Sequence, residues 1–262
     1  MAEFTVYDPG TFCWIDTATT DAAATKAFYT ALFGWEADDR PTPPGGVYTM
    51  YTRDGRAVAG GSALAEPLAA MGIGSHWTSY VAVSDAAATL EEAAAAGGAV
   101  MGPAIPIGDD GVMGVFSDPT GATCAVWQAG EHRGAALANE HGTLIWNELM
   151  TRDPDAAAAF YTEVFGWSHE VRQMPDGPYH LFKDGERFRG GMMSITAEMG
   201  EMPPHWSVYF AVDDIEAAVR RVTELGGTIV GGIMDAGDVG RLAVAGDPTG
   251  AFFTMMQSAA PA

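Results

Sequence analysis

Trp14-Ile15-Asp16 and Trp146-Asn147-Glu148 each set a carboxylate two residues after a tryptophan, and His76-Trp77 and His205-Trp206 each open a later apolar stretch. A carboxylate and an imidazole sharing one cavity can exchange a proton with a bound molecule, the work of a general acid–base pair. Burial would raise the carboxyl pKa and a neighbouring imidazolium would lower it. Asp16, His76, Glu148 and His205 are therefore the candidate catalytic residues. The structural alternative stands level with this for each histidine: it bonds a turn carbonyl while the adjoining tryptophan fills the core. Other groups offer less. No Ser-His-Asp arrangement can be argued. Cys13 and Cys124 show no metal-type spacing and are expected as small buried residues on the helix side of their strands. Gly60-Gly61 and Gly190-Gly191 lack a phosphate-loop context and are expected to kink strands. His132 and His141 lie in a polar joint and are expected to be solvated.

The elements that would position these groups are written twice. GTFCWID (10–16) returns as GTLIWNE (142–148), FYTALFGW (28–35) as FYTEVFGW (160–167), SHWTSYVAVSD (75–85) as PHWSVYFAVDD (204–214), and DPTGATCAVWQ (118–128) as DPTGAFFTMMQ (247–257). Two homologous domains, 1–130 and 140–262, are expected, joined through AGEHRGAALANEH (129–141). Each begins with an alternating strand near 11–17 or its repeat. A helix follows, capped by Asp21 or by Asp153 with Pro154, and stopped by Gly34 or Gly166. Phe28, Phe33, Phe160 and Phe165 are expected to be core. Further strands come next, two of them joined at Asp54-Gly55 or Asp184-Gly185. A second helix at 86–96 or 215–225 and three closing strands around a DPTG turn complete a βαβββ–βαβββ order.

This order, carried by TDAAATKAFYTALFGW, DPDAAAAFYTEVFGW, YFAVDDIEAAVRRVTELGG and the two DPTG turns, resembles the vicinal oxygen chelate superfamily over essentially the whole chain. That superfamily includes glyoxalase I, extradiol dioxygenases and bleomycin-resistance proteins. The tandem form is similar to the glyoxalase-like proteins of actinobacteria, a group that includes a mycobacterial antigen and proteins labelled hydroxylases. The resemblance implies an α+β fold of two tandem glyoxalase-like domains, each a curved, cup-shaped mixed sheet of paired βαβββ modules with the chemistry inside the cup. Metal-using members place His, His and Glu on the first, fifth and last strands. Those positions here are Trp14, Thr78 and Ala125, and Trp146, Ser207 and Thr254. Tryptophan and alanine offer a cation no lone pair, and a neutral hydroxyl is a poor ligand. This argues against glyoxalase I or ring-cleaving chemistry, which need such a centre.

The cup-facing set is then Trp14, Asp16, His76, Thr78, Tyr80 and Trp127 in the first half. In the second it is Trp146, Glu148, His205, Ser207, Tyr209, Thr254 and Met256. If the first and fifth strands run antiparallel at the pseudo-twofold axis, Asp16 is expected to face His76 and Glu148 to face His205. The aromatic walls suit a flat apolar guest. Three readings stay open: a metal-independent lyase- or isomerase-type enzyme using Glu148 and His205, a module that sequesters a small molecule, and a metal site displaced to Glu148 and His205. No cofactor is expected under the first two. The 34 acidic and 13 basic residues leave a net charge of −21, which repels nucleic acid and anionic membranes. The amino-terminal stretch has no basic-then-apolar signal pattern and no apolar run is long enough to span a bilayer, so a cytoplasmic protein is expected.

Overall fold

The computed structural model describes residues 4–174 and 177–259. The first half runs β1 (Phe12–Thr19), α1 (Ala22–Phe33), β2 (Glu36–Thr42), β3 (Gly46–Arg53), β4 (Arg56–Ala63), α2 (Glu66–Ala70), β5 (His76–Ala82), α3 (Ala86–Ala95), β6 (Ala99–Val100), β7 (Ile105–Ile107), β8 (Gly111–Ser117) and β9 (Thr123–Ala129). The second runs β10 (Leu144–Thr151), α4 (Pro154–Phe165), β11 (Ser168–Met174), β12 (Gly177–Asp184), β13 (Arg187–Ser194), β14 (His205–Ala211), α5 (Ile215–Glu224), β15 (Thr228–Asp235), β16 (Gly240–Gly246) and β17 (Phe252–Ser258). Each half forms its own mixed sheet, ordered β2-β3-β4-β1-β5-β9-β8-β6 (with β7 on β8) and β11-β12-β13-β10-β14-β17-β16-β15. Among the described residues no helix is long and apolar enough to cross a membrane.

Local chemistry sets the element ends. The Asp21 carboxylate accepts from the Ala23 and Ala24 amides and Asp153 from that of Ala156, satisfying amides that no helical carbonyl reaches. Gly34 and Gly166 close the two helices at φ 70° and 69°, the left-handed region that a side chain disfavours. In both DPTG turns one aspartate oxygen gathers two amides and a threonine hydroxyl: Asp118 from Thr120 and Ala122, Asp247 from Thr249 and Ala251. The second hairpin turn differs from expectation. Its central pair is Gly185-Glu186, because Asp184 remains in the strand opposite Arg187.

The buried layer belongs to both halves together. One core joins Phe28, Tyr29, Phe33 and Trp35 to Phe210, Val222, Ala243 and Phe253; the other joins Leu90, Phe116 and Val126 to Phe160, Tyr161, Trp167 and Trp206. The helix-bearing face of each early module thus packs on the late module of the other half. The repeated phrases are the fasteners of this layer. Trp35 donates to the Gly142 carbonyl at 2.7 Å and Trp167 to that of Gly10 at 3.0 Å, each reaching the start of the opposite half. Trp77 donates to the Tyr29 hydroxyl and Trp206 to that of Tyr161. Ser79 donates across the halves to Asn147 Oδ1 at 2.7 Å. Phe28, Phe33 and Phe160 are buried and Phe165 half-buried, so the phenylalanines of these phrases are core.

Candidate active site

With the helices between the sheets, each sheet's other face forms a cup. A β-bulge governs which side chains of the first strand enter it. Phe12 and Leu144 point to the cores, whereas one bulge later Trp14 and Trp146 lie opposite Tyr80 and Tyr209. Cys13 occupies that bulge and packs with Trp14, Tyr80 and Trp127, not on the helix side as expected. Cys124 does lie with the helix-side core.

Next along β1 and β10 come Asp16 and Glu148, each held by two tyrosines. Asp16 Oδ2 accepts from Tyr80 at 2.9 Å and from Tyr48 at 3.3 Å. Glu148 accepts from Tyr209 and Tyr179. The outer tyrosine of each set is steadied by the cup tryptophan: Trp14 Nε1 donates to Tyr48 at 2.9 Å and Trp146 Nε1 to Tyr179 at 3.1 Å. Both halves therefore carry one Trp–Tyr–carboxylate–Tyr chain. Burial raises the Asp16 carboxyl to about 6, against the lowering pull of Tyr80, Tyr48 and His76. It raises Glu148 likewise, against Tyr209 and Tyr179. Burial and the adjoining carboxylates push all four phenols up, so they stay protonated donors.

Tyr48 and Tyr179 are the site residues that sequence reasoning missed, and the glycine pairs were their signal. A Cβ on Gly60 would sit 1.8 Å from the Tyr48 hydroxyl, and one on Gly191 would sit 1.9 Å from that of Tyr179. These glycines leave a berth for a phenol to cross the strand toward the carboxylate; they do not serve as kinks.

The histidines stand elsewhere. Asp16 pairs with Thr78 and Glu148 with Ser207, whereas His76 and His205 lie opposite Ala18 and Met150. Each imidazole is thus one pleat, roughly 6–7 Å, beyond its expected carboxylate partner. Facing pairs would need the first- and fifth-strand ligand positions to lie opposite one another, but the register offsets them by two. His76 Nδ1 instead meets the Gly74 carbonyl and His205 Nδ1 that of Pro203, each at 2.9 Å. Burial lowers the His205 pKa, only partly offset by that carbonyl. Of the remaining candidates, Tyr80, Trp127, Tyr209 and Thr254 are buried, and Thr78, Trp146, Ser207 and Met256 are half-buried. Thr254 also bonds Tyr209.

His132, expected in solvent, covers part of the first cup. Its ring lies edge-on to Trp14 at 4.5 Å and to Trp127 at 5.7 Å, and its carbonyl accepts from Trp127 Nε1. The linker beyond it continues along the sheet, with the Ala135 amide on the Cys13 carbonyl and that of Ala136 on the Ala57 carbonyl. His141 matches expectation better, half-exposed beside Asp213.

The family metal positions fit a cation poorly. Trp14 and Trp146 spend their only polar atom on a tyrosine, Ala125 has none, and Thr78, Ser207 and Thr254 offer neutral hydroxyls. Among the described residues no group of three or more His, Cys, Asp or Glu side chains could hold a metal ion.

The comparisons agree with the tandem fold. The family model described as the Glyoxalase/Bleomycin resistance protein/Dioxygenase superfamily matches residues 12–126 and again 143–255. The Mycobacterium tuberculosis protein CFP32, provisionally named a glyoxylase, is 45% identical over 261 residues, 99% of each chain. The anthracycline biosynthesis protein DnrV of Streptomyces peucetius is 34% identical over 266 residues, covering 97% of this chain and 95% of that protein. In fold the chain is similar to the Mn(II)-bound glyoxalase of Novosphingobium aromaticivorans, with a TM-score of 0.64 at 17% identity over 94% of this chain and 82% of that one. A 4-hydroxymandelate synthase mutant of Streptomyces coelicolor gives a TM-score of 0.64 at 13% identity, over 98% of this chain and 94% of that one. With two matched regions, two cup-shaped sheets and a relative of nearly full length, the chain belongs to the glyoxalase/bleomycin resistance protein/dioxygenase superfamily.

Proposed function

We propose that the cups bind a small, largely apolar or aromatic molecule, and that the second cup is a metal-independent acid–base centre of the lyase or isomerase type. Glu148 is the proton-transfer group; Tyr209 and Tyr179 orient it, and His205 lines the same face as a neutral imidazole. One observation carries this reading: a buried carboxyl, 4% exposed, is raised above its ordinary range and ordered by two phenols in a cup whose family metal positions hold Trp, Ser and Thr. Such a carboxyl can take a proton from carbon beside a carbonyl and return it elsewhere on the same molecule, while the two phenols, each donating its one O–H to Glu148, hold it in place and stabilise its ionised form. The Streptomyces relatives are named for anthracycline biosynthesis. A flat polycyclic guest suits walls built from Trp146, Tyr179 and Tyr209.

A second reading, sequestration without turnover, draws on the first cup. There Trp14, Tyr80 and Trp127 are almost wholly buried and His132 packs over two of them. Native mass spectrometry of the protein mixed with a metabolite extract separates the readings. A mass-shifted product that disappears in Glu148→Gln supports the enzyme. A guest retained unchanged by both proteins supports sequestration. Stoichiometric zinc, nickel or iron in the purified protein would overturn metal independence.

A further inference from the structure

The outer end of the second cup carries groups that the proton-transfer site does not use. Arg172 lies directly opposite Tyr179 across β11 and β12, so both side chains share the cup face. Glu170 lies opposite Leu181, and Lys183 opposite Phe188, on that same face. The Phe188 ring is 44% exposed, with the Arg172 guanidinium 5.2 Å and the Lys183 ammonium 5.6 Å from its centre. One carboxylate serves both cations: Glu170 accepts from Arg172 at 2.8 Å and from Lys183 at 3.3 Å. Two positive groups against one acid leave a local surplus of positive charge in a chain of net charge −21.

The first cup lacks this arrangement. Its counterparts to Phe188 and Lys183 are Ala57 and Thr52, which pair in the same way, and the linker amide of Ala136 bonds the Ala57 carbonyl. Arg40 is retained opposite Tyr48, but the strand beyond it has Ala57 in place of Phe188, so that second ring is absent. Edge strands carry charge to discourage sheet pairing, which accounts for Arg40 and Arg172 in part. It does not account for a large half-exposed aromatic ring on the cup face of β13, within reach of two cations.

We propose that Phe188, Arg172 and Lys183 form an aryl-carboxylate subsite at the mouth of the second cup, so that the guest is a planar aromatic anion. The ring stacks on Phe188 and the carboxylate meets the two cations, displacing part of their contact with Glu170. Phe188 stands three residues before Gly191, the strand partner of Glu148. The span is roughly 10 Å at strand spacing, which a guest of two or three fused rings bridges. This subsite rests on the reading of the second cup as a small-molecule site and specifies its ligand class.

The test uses 2-naphthoate and its neutral isostere 2-naphthamide, titrated against the full chain and read at the indole resonance of Trp146. Naphthoate is expected to bind at least about tenfold tighter than the amide at low salt, and the gap should close as salt rises. Arg172→Gln and Lys183→Gln should each shrink that preference, weakening naphthoate more than the amide. Phe188→Ala should weaken both probes, and Glu170→Gln, which frees both cations, should tighten naphthoate alone. Equal binding of the two probes, or a preference indifferent to Arg172 and Lys183, overturns the subsite and leaves the cup as a binding site. If neither probe perturbs Trp146, the small-molecule reading of the second cup falls, and the subsite with it.

Discussion

The two cups share a frame and differ in their walls. Both keep the chain from tryptophan through tyrosine to a carboxylate and a second tyrosine, and both keep the glycine over which the outer tyrosine crosses. Around that frame Asp16 becomes Glu148, Ala125 becomes Thr254, Trp127 becomes Met256, and Ala57 becomes Phe188. The linker places His132 against the tryptophans of the first cup, where Trp14 is 3% exposed; Trp146 stays half-buried in the second. The frame is an interlocked set of hydrogen bonds, so no member can lose its hydrogen-bonding group without stranding its partners. Wall residues touch neighbours mainly through apolar surface and can diverge singly. The proposed division of roles follows this contrast: a first cup whose tryptophans are buried beside His132, and a second cup with a half-buried tryptophan and the longer carboxylate.

That division can be broken at several points. The largest effect is expected from Glu148→Gln, which should lower turnover of any product found by mass spectrometry by about 10²- to 10⁴-fold, the usual worth of a general acid–base group. Asp16→Asn should leave that product's rate within about twofold; equal losses in both variants would show that the cups do not divide the work. Next come Gly60→Ala and Gly191→Ala. Each added Cβ forces a tyrosine off its carboxylate, so each should cost about 1–3 kcal/mol in urea unfolding. Only Gly191→Ala should also slow turnover.

A smaller, pH-linked effect belongs to Asp16. Its folded-state pKa of about 6 lies above the ordinary 3.8, so the folded chain holds that proton more tightly than the unfolded chain. The resulting stabilisation is complete below about pH 4 and is lost as pH rises through about 6. Asp16→Asn, which still accepts from both tyrosines, should remove that step and raise the melting temperature at pH 8 by several degrees, since a rise from 3.8 to about 6 corresponds to about 3 kcal/mol at most. A wild-type melting profile flat between pH 4 and 7 would contradict the assignment. The smallest effect concerns Lys26, whose ammonium pairs with Asp39 at 2.5 Å, while the second repeat has Ala158 at the matching helix position. Lys26→Ala should cost below about 1 kcal/mol, as exposed ion pairs do.

Much of the fold was legible in the chain itself. Asp21, Asp153, Gly34, Gly166 and the DPTG turns act within a few residues of themselves, so their chemistry can be read locally. The repeated FYxxxFGW and HW phrases revealed the duplication, though not that their tryptophans fasten one half to the other. Of the candidate site, the carboxylates and tryptophans were legible from the superfamily resemblance and their two-residue spacing, although a bulge after Phe12 and Leu144 breaks simple alternation. Tyr48, Tyr179 and His132 were not, because each joins the cup from a segment distant in sequence. The pairing of acid with imidazole failed for a related reason: which residue of β5 meets Asp16 depends on register, and a one-pleat slip leaves the apolar pattern of either strand unchanged.

By itself, then, the order of residues determined two βαβββ–βαβββ halves, their helix caps and turns, and a carboxylate beside an indole at a position where the family places a metal ligand. Only the tertiary structure decided what that carboxylate touches, where the linker lies, and that each half's helix face is buried by the other half. The physical reason is reach. Caps, turns and alternation are fixed by neighbours along the chain, whereas a hydrogen bond from Tyr179 to Glu148 or from Trp35 to Gly142 exists only after strands and halves have paired in one register.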